Sequence, residues 1–210
     1  MTGAATPPAV AEASDTRSGS YADWLRRSQT RPWKRALRVQ AVYRWNLRRL
    51  QPGVALDIGC GNGRNLSSLD RRSVGIDHNT SSLAIAGSCG FQVYTREQFQ
   101  DSPAARPGYF DTLLFAHVLE HMAMEEAVGI IGTYREFVKA RGKLIIITPQ
   151  EAGFRHDPSH VSFTDFGAIS RICARVGADI DRRFSFPFPR PAGRVFAYNE
   201  FVVAAHFGRD

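Results

Sequence analysis

The sequence predicts one α/β domain: a seven-stranded, mostly parallel sheet with helices on both faces and a C-terminal antiparallel hairpin. From residue 54 onward short β-rich runs alternate with helical segments, the pattern of parallel strands joined by crossovers. Those runs are apolar almost without interruption, as strands covered on both faces must be. The last two runs follow each other with no helix between them, so they pair antiparallel.

Taken in order, residues 1–20 are small, polar and Pro-containing, and bury too little apolar area to offset the entropy of ordering; they read as a disordered tail. Residues 21–50 form a basic helical arm interrupted near Pro32, carrying Arg26, Arg27, Arg31, Lys34, Arg35, Arg38, Arg44, Arg48 and Arg49. Its Trp33, Leu37, Val42 and Trp45 are expected to pack inward while the charge faces water. Residues 51–210 form the main domain. Its strands are expected at 54–58, 73–77, 91–94, 110–116, 143–148, 180–188 and 198–207. Helices are expected over 63–70, 79–89, around 96–99, over 120–140 and near 164–176, with a long loop running to His160.

The chain has 210 residues, enough for one core of ordinary size. Its net charge is +7, and its three cysteines, Cys60, Cys89 and Cys173, odd in number, widely spaced and in no C-x-x-C pair, indicate neither a disulfide framework nor a structural zinc site. No apolar run reaches the roughly 18 residues a membrane span needs, and the first residues lack a secretion signal. A soluble, cytoplasmic protein is expected. The basic balance admits an RNA, phosphate or lipid contact through the arm.

Two motifs carry chemistry. "VALDIGCGNGRNL" runs a strand into Asp57, then Gly59, Gly61 and Gly63, and is expected to open a helix near Arg64. Such a loop lets backbone approach a nucleotide-type ligand closely. A dinucleotide fingerprint would need glycine at position 64, where Arg64 stands. "FAHVLEHM" places His117, Glu120 and His121 at the spacing of one zinc-peptidase class, and on a helix i, i+3 and i+4 share a face. A peptidase would need its own helical scaffold and a further ligand, whereas here the motif interrupts a cofactor fold.

"LDIGCGNG", followed by "VGID" and "FDTLLFAHVLEHM", resembles the class I S-adenosylmethionine (SAM)-dependent methyltransferases over roughly residues 50–207, with a Rossmann-like fold. The resemblance implies that Asp57 orients the methionine part through the loop of Gly59, Cys60, Gly61 and Gly63. It also implies that Asp77 binds the ribose hydroxyls, with His78 and Asn79 beside the adenine. Thr95, Arg96 and Glu97 compete for the acidic place after the third strand, and Phe115, Ala116 and His117 end the fourth. "DPSHVSFT" is similar to a segment of bacterial sugar and polysaccharide O-methyltransferases. "HVLEH" with "FRHDPSHVSFT" is also similar to small-RNA 2′-O-methyltransferases, whose Glu-x-x-Glu-His motif and later His hold Mg²⁺. Glu120, His121 and His160 match that metal set, while His117 stands at its first Glu. The implied reaction is methylation of a hydroxyl, that of a sugar or oligosaccharide first. His121 or His160 would be base or ligand, with Glu120 and His117 beside them and His156 on the same loop. The alternatives are an RNA ribose or small-metabolite methyltransferase, or a non-catalytic protein binding RNA or a partner through the basic arm.

Overall fold

The computed structural model describes residues 39–208. The tail read over 1–20 and the arm as far as Arg38, with Trp33 and Leu37, lie outside the described residues. Seven strands, β1 (Ala55–Ile58), β2 (Val74–Ile76), β3 (Gln92–Tyr94), β4 (Phe110–Ala116), β5 (Val138–Pro149), β6 (Ala178–Phe186) and β7 (Glu200–Phe207), form one sheet in the order β3-β2-β1-β4-β5-β7-β6. The first five run parallel; β7 is antiparallel to both β5 and β6. The expected fold class is thus observed, and each of the seven expected runs is a strand.

Alternation within the apolar runs serves both faces. Leu113, Phe115, Leu144, Ile146, Val203 and Ala205 join the larger core with Ala127 and Ile131 of α4 (Met124–Arg135) and Ile169 and Ile172 of α6 (Phe166–Arg175). Leu114, Ala116, Ile145, Ile147, Val202 and Ala204 face the other way, against Leu47 and Leu50 of the α1 helix region; α1 itself spans Val39–Arg49. Two more helices, α2 (Thr80–Ser88) and α3 (Arg96–Gln100), follow β2 and β3. A run buried on both faces cannot exchange a residue for a polar one cheaply, which is why these strands were legible.

Four expectations are corrected. The segment 63–70 closes only a 3₁₀ turn, Leu66–Ser68, because its polar side chains bond locally: Ser67 Oγ donates to the Arg64 carbonyl at 2.7 Å and Asp70 accepts from the Arg72 amide at 2.9 Å. No helix N-terminus therefore stands at the glycine loop. The helix expected over 120–140 starts at Met124 and ends at Arg135, since Val138 already pairs with Phe110 and lengthens β5. The loop to His160 holds a short helix, α5 (Glu151–His156). On α1 the buried stripe is Asn46, Leu47 and Leu50, while Val42 and Trp45 are 41% and 56% exposed, the opposite of the inward packing expected.

Candidate active site

The carboxyl ends of β1, β2, β4 and β5 open on one cleft of about 1060 Å³, at the upper end of the range for small-molecule sites. Antiparallel pairing brings the first residue of β7 to the same end, opposite the last residue of β5 (Glu200 against Pro149). The cleft floor is the glycine loop. Gly59 and Cys60 both donate their amides to the Ile76 carbonyl, at 2.7 and 3.1 Å. The Gly61 amide donates to Asp77 Oδ2 at 2.8 Å, and the Asn79 amide to Asp77 Oδ1 at 2.8 Å. One carboxylate thus ties the first crossover to the second.

Two glycines are required here. Gly59 has φ +71°, and a Cβ on it would come within 2.4 Å of Val118. Gly61 has φ +52°, yet a Cβ there meets nothing within 4 Å. The space it would fill belongs to the cleft, so backbone rather than side chain is presented to a ligand. Beneath the loop Asp57 is wholly buried, and neither of its oxygens accepts a well-formed hydrogen bond. Burial pushes its carboxyl up to about 7, with Asn65 and Arg64 pulling it down and Asp77 adding to the rise. Both features fit a ligand that places a cationic group over this loop, as the ammonium of SAM would be.

At the other wall, β4 ends in His117, which turns with φ +61°, and a 3₁₀ turn follows over Leu119–His121. His117 is therefore not on a helix face with Glu120 and His121, as the spacing suggested. Its Nε2 donates to Glu200 Oε1 at 2.8 Å and its Nδ1 lies 3.4 Å from Glu120 Oε1. Burial alone would lower this imidazole, but the carboxylates of Glu120 and Glu200 overcome it and hold it up to about 9. It is an imidazolium at neutral pH, unsuited to act as a base.

Instead, the loop between α5 and α6 supplies the partners. The amides of Val161 and Ser162 bind the Glu120 carbonyl, at 2.9 and 3.0 Å, and this brings His160 against His121 with ring centroids 4.8 Å apart. Each of these two rings has its Nδ1 beside a backbone carbonyl: His121 by Ser159 at 3.2 Å, His160 by Phe154 at 2.9 Å. With Nδ1–H donated there, Nε2 of each ring carries the lone pair. Ser159 is held in turn by Asp157, to which its hydroxyl donates at 2.6 Å. Burial lowers His121 below the ordinary imidazole value; the Glu120 charge opposes this and His160 reinforces it. Glu120 itself is completely buried, and neither of its oxygens accepts a well-formed hydrogen bond. One ligating atom from each of Glu120, His121 and His160 falls within a 4.8 Å group.

Of the expected site residues, Gly59, Cys60, Gly61, Asp77, His78, Ala116, His117, His121 and His160 line the cleft, as do Asn79, Thr95, Arg96, Glu97 and His156. Phe115 does not: it sits in the core, paired between Ile58 and Ile146. Gly63 turns away, its Cα facing Phe91, and Asp57 and Glu120 act from beneath the wall. The Cys60 thiol is pushed up by burial and by Asp57 and Asp77, so it contributes its backbone only. Three residues were missed. Glu200 had one signal, an acid opening the otherwise apolar strand "EFVVAAHF". Tyr43 and Tyr198, whose hydroxyl and carbonyl hydrogen-bond across the rim, had none. Arg190 and Arg194 lie in a 3₁₀ turn, Arg190–Arg194, clamped onto α5: Arg190 pairs with both oxygens of Glu151, and Arg155 donates to the Arg194 carbonyl at 3.1 Å.

Residues 56–146 match the family model of a methyltransferase domain. No protein of curated function matches the sequence. Among solved structures, a SAM-dependent methyltransferase from Archaeoglobus fulgidus shares 19% identity at TM-score 0.58, covering 80% of this chain and 94% of its own. The magnesium protoporphyrin IX methyltransferase of Synechocystis PCC 6803, with bound SAM, shares 19% at TM-score 0.63 over 99% and 100%. A chain of the Haloferax volcanii complex containing the Trm112 methyltransferase activator shares 12% at TM-score 0.68 over 94% and 98%. These likenesses establish a Rossmann-like methyltransferase fold. Among the described residues no helix is long and apolar enough to cross a membrane.

Proposed function

We propose that the protein transfers the methyl group of SAM to a hydroxyl, that of a sugar or oligosaccharide, with His121 taking the hydroxyl proton. The observation that carries this reading is His121 itself: it lines the cleft, its Nδ1–H is spent on Ser159, and burial keeps Nε2 unprotonated at neutral pH. SAM, when bound, would supply an electrophilic methyl group on its sulfonium: the acceptor oxygen would form a bond to that carbon in line with the breaking carbon–sulfur bond, and the thioether would leave. His121 Nε2 receives the proton that the acceptor loses. Asp77 and the open backbone at Gly61 hold the nucleoside end. Tyr43 and Tyr198 line the cleft with aromatic residues, the type that sugar rings pack against.

Asp57 gives this reading a pH signature. Its folded value of about 7 lies above the ordinary carboxylate range, so at pH 7 a good part of the population is protonated. A cation brought over the loop favours the ionised form, so binding expels a proton, and affinity rises as pH increases through about 7. Calorimetry of S-adenosylhomocysteine (SAH), which carries the same ammonium, in buffers of different ionisation enthalpy measures this directly. Proton release is expected near pH 7 and is expected to vanish in Asp57→Asn.

A second reading is favoured by Glu120, whose buried oxygens accept no well-formed hydrogen bond although His117 Nδ1 stands 3.4 Å from Oε1. Glu120, His121 and His160 would hold a divalent cation, whose chemistry when bound is to lower the pKa of the acceptor hydroxyl. Two imidazoles with donated Nδ1–H groups are the usual support of metal-ligating histidines. One carboxylate with two imidazoles suits a first-row transition ion, Mn²⁺ included, better than the Mg²⁺ of the small-RNA resemblance. Under this reading EDTA abolishes methyl transfer and added Mn²⁺ restores it more fully than Mg²⁺. Full activity after chelation leaves His121 as the base alone.

A further inference from the structure

Outside the cleft, β6 forms one edge of the sheet and meets α1. Residues Arg182, Phe184 and Phe186 alternate onto the face that α1 covers, opposite Ala204, Val202 and Glu200 of β7. Here a groove of about 690 Å³ opens between Trp45 and Arg49 on one side and this ladder on the other. The Arg49 guanidinium lies over three rings, 4.5 Å from the centroid of Phe184, 4.8 Å from Trp45 and 5.5 Å from Phe186. Arg182 also lies over Phe184, at 5.5 Å. The two guanidiniums are near enough that Arg182 adds to the depression of Arg49 that burial begins.

Neither guanidinium is paired with a carboxylate among the described residues. Asp181, the one acid in the groove, is taken by His206 Nδ1 at 2.7 Å. No carboxylate pairs with Arg44, Arg48, Arg49, Arg182 or Arg183 among the described residues. A pair of guanidiniums over aromatic rings, neither paired with a carboxylate, is a receptor for a flat anion joined to a ring that stacks. The groove also adjoins the cleft: Phe186, in its wall, and Tyr43, in the cleft wall, pack in a T-shaped pair with centroids 5.8 Å apart.

We propose that this groove is a distal subsite for an acidic oligosaccharide, its carboxylates on Arg49 and Arg182 and a sugar ring on Trp45, with the chain running past Phe186 and Tyr43 into the cleft. The inference deepens the sugar-hydroxyl reading and rests on it for the acceptor class. A single-stranded nucleic acid is the weaker occupant because successive bases need a row of exposed rings. Only Trp45 is exposed here; Phe184 is half-buried and Phe186 is buried. Guanidinium forks moreover match planar carboxylates two oxygens at a time.

The test follows quenching of intrinsic tryptophan fluorescence in the full chain with SAH present, and compares tetragalacturonate, maltotetraose and an oligouridylate. Tetragalacturonate is expected to bind at least tenfold more tightly than neutral maltotetraose. Arg182→Ala should weaken it at least fivefold without changing SAH affinity, and Trp45→Phe should remove the quenching. Equal binding of the neutral sugar, preference for oligouridylate, or indifference to Arg182→Ala would each overturn the subsite. If the anionic sugar fails to bind while methyl transfer to some sugar proceeds, the subsite falls alone. Binding in the groove with no transfer to any sugar hydroxyl would instead remove the acceptor assignment.

Discussion

Replacing Asp77 by alanine is expected to abolish SAH binding in calorimetry, a loss of at least a hundredfold. The carboxylate accepts from the amides of Gly61 and Asn79, and the ribose hydroxyls would be its third and fourth donors. Hydrogen bonds to a charged group are each worth about 1.5–3 kcal/mol, so losing the ligand contacts alone accounts for the drop. Freeing the Gly61 amide also releases the loop, whose open backbone forms the cleft floor. Thermal unfolding should fall only modestly, since β1 and β2 remain paired through Leu56, Asp57 and Ile58. Unchanged SAH affinity in this variant would remove the nucleoside site from the glycine loop.

His121→Ala should reduce the rate of methyl transfer by about 10²–10⁴-fold, the usual contribution of a positioned base, while leaving SAH affinity within twofold. The ring supports no strand or helix; its nearest attachments are the Ser159 carbonyl and the His160 ring. His117→Ala makes a useful contrast. His117 already carries its proton at neutral pH, held by Glu120 and Glu200, so it cannot accept another. Its loss leaves Glu120 buried without its nearest cation and should lower the melting temperature more than His121→Ala does. The pair therefore separates a catalytic role from a charge-balancing one. Equal transfer rates for wild type and His121→Ala would contradict the assignment of the base.

Strands and strand-end acids were legible because burial on two faces leaves an unambiguous apolar run. Even there Phe115 was misplaced: period-two alternation puts it in the core and leaves its neighbours Ala116 and His117 to reach the cleft. The helix boundaries were less readable. Ser67, Ser68 and Asp70 spend their hydrogen bonds locally, and Val138 prefers a strand partner to a further helical turn. In the site, "LEH" and "DPSH" contain the side chains that the fold brings together, Glu120, His121 and His160, but their geometry came from tertiary contacts. A positive φ at His117 breaks the helical spacing, and the bond from the Val161 amide to the Glu120 carbonyl sets His160 beside His121. Glu200 was hidden because it lies 83 residues from His117 and reaches the cleft only through the antiparallel register of β7. The inward face of α1 was misjudged because its tryptophan packs against Arg49 and Phe186 at the surface instead of entering the core.

The most direct test incubates the protein with methyl-labelled SAM and a panel of mono- and oligosaccharides, acidic and neutral, then exposes the products to mild base. Transfer to a sugar in a base-stable form, lost in His121→Ala, is the predicted result, because an ether formed at a hydroxyl survives base. Label that is released by base, and so sits on a carboxylate, or SAH binding without transfer to any hydroxyl, would contradict it.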